Sequence, residues 1–127
     1  MPMNLDALID AYCEAWSSPL PAERERILRS VLAHGALYCD PTCGPIGVDA
    51  LLRQIARVHA SLPGARIVRT SSVDAHHDVA RFAWHVRMPD GRTLAESLDV
   101  VTLADDHASI RHIVGFFGPL APTVDRT

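Results

Sequence analysis

Three oxygen-bearing side chains in this chain keep unusual company. Asp40 follows the apolar run Ala36-Leu37-Tyr38-Cys39 and is locked on its far side by Pro41. Proline lacks an amide donor and drives the residue before it toward extended backbone. The pattern predicts a short strand ending at Asp40, its carboxylate aimed at whatever the neighbouring elements enclose. Partial burial there would raise the carboxyl pKa and suit the group to proton abstraction near neutral pH. The competing reading is an Asp-Pro turn whose side chain caps local amides.

Asp99 interrupts Leu98-Asp99-Val100-Val101 in the middle of a predicted strand, where aspartate is disfavoured. Enclosed, it must be hydrogen-bonded or protonated, and a neutral carboxylic acid can donate to a developing oxyanion. Alternatively it faces solvent on the sheet exterior. Tyr12 lies on the apolar stripe of a predicted helix, where its phenol supplies a donor at a dry wall or belongs to a core tyrosine. His59 is the one histidine on an inner helical stripe, either a pocket base or a satisfied interior side chain. His85 and His112 fall on outward faces by alternation, and His76-His77 sits in a predicted turn. Cys39-x-x-x-Cys43 has no second ligand pair, so no metal site is expected, and no nucleophile elbow is present.

These residues need elements to hold them. Asn4 is a good N-cap for a helix running to about Trp16, with Leu5, Leu8, Ile9, Tyr12 and Trp16 on one face. A second helix starts near Pro21, carries Ile27, Leu28, Val31 and Leu32 as its stripe, and is expected to stop at Gly35. A third spans Val48 to about Leu62, with Leu51, Leu52, Ile55 and Val58 inward. From Ala65 the period changes to two, giving strands at 65–73, 79–88, 93–103 and 109–117. Turns are expected at Asp74–Asp78, Pro89-Asp90-Gly91 and Asp105-Asp106-His107, so the strands should form consecutive antiparallel hairpins. Phe82, Trp84, Val86 and Met88 alternate onto one face that three amphipathic helices are available to cover. The expected class is α+β, with helices laid across the concave side of a curved antiparallel sheet.

A length of 127 residues suits one domain, read as 1–119 with a loose tail at 120–127. A net charge of −3 without basic runs gives no reason to expect nucleic acid. Asp6, Asp10 and Glu14 break the first apolar segment, which is therefore read as neither a signal peptide nor a membrane span. Three cysteines without a disulfide-framework spacing favour a reducing cytoplasm.

In order along the chain, Tyr12 and Trp16, then Tyr38-x-Asp40-Pro41, then Gly47 opening a helix, resemble the nuclear-transport-factor-2-like superfamily. Leu98-Asp99-Val100, Asp105-Asp106, Ile110 and Gly115-Phe116-Phe117 extend the resemblance over nearly the whole chain. Within it the chain is similar to ketosteroid isomerases and SnoaL-like polyketide cyclases. The resemblance implies a cone-shaped curved sheet wrapped around three N-terminal helices. It also implies Asp40 as the base, Tyr12 as the oxyanion-hole tyrosine and Asp99 as the neutral acid beside it, a division of labour that belongs to the isomerase. The implied ligand is small and apolar, with no cofactor. Its pocket is expected from Trp16, Tyr38, Ile55, His59, Phe82, Trp84, Val86, Met88, Val101 and Phe117. A homodimer is expected through the outer sheet face, with Ala83, His85, His112 and Val114. Two functions follow: proton transfer or hydration at a carbonyl or epoxide, or noncatalytic binding or dimerisation on the same fold.

Overall fold

The computed structural model describes residues 4–124. Helix α1 (Leu5–Ser17) opens as its N-cap predicts, with Asn4 Oδ1 accepting from Ala7 N at 2.8 Å. It buries Leu8, Ile9 and Tyr12. Helix α2 (Pro21–Val31) is joined to it by a loop that Arg24 holds from beneath. Arg24 is buried, and its guanidinium donates to the carbonyls of Ser18 (2.7 Å) and Pro19 (3.1 Å). The remaining elements are β1 (Leu32–Asp40), β2 (Cys43–Ile46), α3 (Val48–Ser61), β3 (Arg66–Arg69), β4 (Asp74–His76), β5 (Val79–Arg87), β6 (Ser97–Leu103) and β7 (Ile110–Phe116).

The strands form one sheet in the order β2-β1-β7-β6-β5-β3, with β4 also pairing β5. All pairs are antiparallel except β1 with β7, which is parallel. The sheet is therefore mixed: β1 makes a hairpin with β2 on one side and docks parallel beside the last strand, β7, on the other. Its inner face carries Tyr38, Phe82, Val101 and Ile113, which join Leu8, Ile9, Leu28 and Ile55 of the helices in one core. Burying each such aliphatic side chain stabilises the fold by about 1.5–3 kcal/mol.

Several boundaries depart from expectation. Helix α2 ends at Val31, not at Gly35; Leu32 is its C-cap and also opens β1. Gly35, at φ +76°, lies in the stretch between Leu32 and Leu37, where β1 spends five residues against two of β7 (Ile110 to His112). That bulge needs a residue free to adopt left-handed backbone, which is the physical reason for the glycine. Strand β2 was not expected. The Asp74–Asp78 segment is a strand for its first three residues, and only His77 and Asp78 make the turn, with His77 at φ 52°. Strand β3 is shorter than 65–73, because β5 pairs with β3 along one half and β4 along the other. Strand β6 begins at Ser97; upstream, Thr93 makes a single bridge to Arg87. Leu120 and Val124 are exposed, and the remainder of the expected tail lies outside the described residues. No helix among the described residues is long and apolar enough to cross a membrane.

Candidate functional site

The helices do not fill the concave side of the sheet. A cavity of about 380 Å³ remains at one end, walled by α1, α3, β1, β5 and β6 and by the chain after β7. Helix α1 contributes the buried Tyr12 and Cys13 and, one turn after Tyr12, the half-buried Trp16. Trp16 Nε1 donates to Tyr12 Oη at 2.9 Å, an i,i+4 bond along the helix that fixes the phenol's position.

Asp40 and Asp99 reach this cavity from strands that flank β7. Asp99 pairs with Gly115, and Cys39 pairs with Val114, which puts Asp40 level with Gly115 from the other side. Gly115 has no side chain to come between them: a Cβ there would stand 3.0 Å from Asp99 Oδ1 and 3.4 Å from Asp40 Cβ. Two strand spacings separate the two backbones, roughly 10 Å.

Their environments push them apart electrically. Asp99 is 5% exposed, and its one side-chain hydrogen bond among the described residues is from Trp84 Nε1 at 2.9 Å to Oδ1. Burial pushes its pKa up to about 7; the indole bond opposes that shift and the charge of Asp40 adds to it. Burial also works against ionisation of half-buried Asp40, but here hydrogen bonds win. The Thr42 hydroxyl (2.6 Å), Tyr38 Oη, the Thr42 amide (2.7 Å) and Cys43 Sγ (3.6 Å) all donate to it, holding the carboxyl below its ordinary range. This reverses the expectation that Asp40 would be raised. The Asp-Pro turn and the pocket carboxylate are thus one residue: Oδ1 caps the turn, while Oδ2 takes only Tyr38. Gln54 Nε2 steadies the Thr42 hydroxyl at 3.2 Å.

The phenols are held protonated. Burial, followed by the charge of Asp99, pushes Tyr12 well up. Burial, followed by Tyr12 and Asp40, raises Tyr38. Cys13 is pushed up to about 12 by burial, then by Asp99, so it lines the cavity as an inert thiol.

Of the expected pocket residues, Trp16, Tyr38, Phe82, Trp84, Val86 and Phe117 line the cavity with Tyr12, Asp40 and Asp99. Four do not. Ile55 and Val101 are fully buried in the core, because two residues past Asp99 the same face of β6 has entered the closed end of the cone. Met88 follows the end of β5 and has left its alternation. His59 Nε2 lies 2.7 Å from the Trp16 carbonyl, tying α3 to α1 as a satisfied interior histidine and not as a pocket base. Thr42, Gln54, Leu94 and Ser97 line the cavity and were not expected. Ser97 was within reach of the sequence, two residues before Asp99 and so on the same strand face. Among the described residues no His, Cys, Asp or Glu cluster is arranged to hold a metal ion.

No protein-family model matches the chain, and no curated protein matches it in sequence. Solved structures do. A protein of the SnoaL-like family from Agrobacterium tumefaciens, provisionally described as an isomerase, superposes with a TM-score of 0.78 at 28% identity, covering 86% of this chain and 92% of that one. An NTF2-like protein of unknown function from Exiguobacterium gives 0.67 at 14% identity over 85% and 95%. A SnoaL-like protein from Jannaschia, provisionally a polyketide cyclase, gives 0.60 at 14% over 86% and 83%. The last two speak for fold alone. Together they establish the fold resemblance read in the sequence: this chain has the nuclear-transport-factor-2-like fold, and it is similar to a solved SnoaL-like protein.

Proposed function

We propose that this SnoaL-like protein binds a small, largely apolar molecule in the cavity and moves a proton on it, beside a carbonyl or in adding water to an epoxide. Asp40, ionised and lining the cavity, is the base, its Oδ2 engaged by Tyr38 and its Oδ1 by the turn. Tyr12 and Asp99 are the donors: a phenol that stays protonated, and a carboxylic acid largely protonated below pH 7. In the carbonyl case a C–H proton passes to Asp40, the C–H electron pair forms the enolate double bond, and the carbonyl oxygen gains the charge that Tyr12 and Asp99 bind. Trp84, Phe82, Val86 and Phe117 make the apolar wall.

The observation that carries this reading is the pair of carboxyls on either side of Gly115, pushed in opposite directions within one cavity. Two titratable groups driven apart by their surroundings are the mark of an acid and a base sharing work. The test is α-hydrogen exchange in D2O, followed by proton NMR across a panel of cyclic enones, with epoxide opening scored in parallel. Wild type should exchange at least one panel member, and Asp40→Asn should lower that rate by about 10²–10⁴-fold while remaining folded. An Asp40→Asn rate equal to wild type would take Asp40 out of the mechanism.

A second reading is favoured by the hydrogen bonds on Asp40: a carboxyl held low is a weak base, which suits binding without turnover. Saturable ligand binding with no exchange in wild type would select it. In either case we place the protein in the cytoplasm, with its cysteines reduced, and a second copy on the outer face of the sheet.

A further inference from the structure

We infer that the ligand is an apolar amine in its protonated form, its ammonium seated beside Asp40 and Asp99 and its hydrocarbon body against the aromatic wall. This rests on reading the cavity as a small-molecule site and adds the ligand's charge.

The chain leaves the charge of this cavity uncompensated. Among its described lining residues there is no arginine, lysine or histidine. Five of the eight other described aspartates are ion-paired, among them Asp10 with Arg69 at 2.7 Å, Asp49 with Arg29 at 2.7 Å and Asp74 with Arg81 at 2.8 Å, whereas the unpaired Asp6, Asp105 and Asp106 lie outside the cavity. Neither Asp40 nor Asp99 has an ion-pair partner among the described residues. Asp40 is supported only by neutral donors, and Asp99 Oδ2 accepts from no described residue although the side chain is nearly wholly buried. In a partly dry cavity an anionic ligand would be repelled by Asp40, and an ammonium attracted, more strongly than in water.

The aromatic side chains fit the same ligand. The indole N–H groups of Trp16 and Trp84 are already committed to Tyr12 and Asp99, so what these rings offer a ligand is π surface. Trp16 and Tyr38 are 5.8 Å apart between centroids, and Trp84 and Phe117 are 6.2 Å apart and perpendicular. Such rings attract cations as well as hydrocarbon.

The probes are 1-adamantylammonium, 1-adamantanol and 1-adamantanecarboxylate, one apolar body with three charges. The readout is the indole Nε1–H resonances in a proton–nitrogen correlation spectrum at pH 7. The chain has two tryptophans, and both line the cavity. The ammonium should shift both signals and bind about tenfold tighter than the alcohol, with the carboxylate weakest. Asp40→Asn should lower ammonium affinity about tenfold, while a far-UV circular dichroism spectrum and a urea unfolding curve like those of wild type show that the variant is folded. An alcohol that binds as tightly as the ammonium, or a carboxylate that does so, overturns the inference and leaves the small-molecule site standing. Indole signals that respond to none of the three overturn it too, and the exchange assay above then judges the proposed function by itself.

Discussion

Asp99 carries a penalty that the fold must bear. A carboxyl whose pKa is raised on folding, here from an ordinary 3.8 to about 7, contributes stability that is fully present below the unfolded value. That stability is lost as pH rises through the folded value, so the window runs from about pH 4 to 7. Asp99→Asn removes this dependence while keeping an oxygen for Trp84 Nε1. From pH 8 to pH 5, wild type should gain about 2–3 kcal/mol of unfolding free energy relative to Asp99→Asn, measured by urea denaturation. A constant difference between the two proteins would mean that Asp99 titrates normally. The sequence made Asp99 conspicuous through its apolar neighbours but left its face open, since both faces of that strand carry aliphatic residues. Asp40 was legible as a residue and misread in sign. Its donors Tyr38, Thr42 and Cys43 all lie within three positions, but an Asp-Pro pattern does not tell whether local hydrogen bonds or burial prevail.

Among the elements, β7 decides whether the site exists, because it separates the two strands that bring the carboxyls. Gly115→Ala would place a methyl group 3.0 Å from Asp99 Oδ1, an oxygen that the Trp84 indole already holds, and 3.4 Å from Asp40 Cβ. The expected cost is about 1–3 kcal/mol in unfolding free energy, with Asp40 and Asp99 displaced and ligand binding weakened. Undiminished stability and binding would show that the spacing has slack. The three helices and the main strands were readable from periodicity, as in Leu8, Ile9 and Tyr12 or Phe82, Trp84 and Val86. What escaped was set by pairing across the sheet. Gly35 reads locally as a helix stop, and only the parallel register of β1 against β7 turns it into a bulge. The Asp74–His76 segment reads as turn until β5 offers it partners.

For the molecule as a whole, one sheet face is covered by helices and the other is not. The bare face carries Leu37 and Phe116, about half exposed, beside Val114 and Leu98. His112, expected on this outward side, has its Nε2 buried without a hydrogen-bond partner among the described residues. A second copy laid on this face is therefore expected, and light scattering at micromolar concentration should give twice the monomer mass of 13.9 kDa. Replacing Phe116 by Glu should return the monomer; a monomeric wild type removes the dimer. The cone and its three helices were legible because each element's apolar stripe demands a partner. The cavity itself was not, since no local pattern records space left unfilled.

The central claim is that two carboxyls share one cavity in opposite protonation states, with the charge of Asp40 felt at Asp99. Carbon-13 titration of the aspartate side-chain carboxyls measures this directly, in wild type and in Asp40→Asn. The account predicts one wild-type aspartate, Asp99, titrating near pH 7, and a lower value once the charge of Asp40, the smallest of the contributions after burial and the Trp84 bond, is gone. An Asp99 that titrates in the ordinary carboxylate range, or one indifferent to Asp40→Asn, would contradict it.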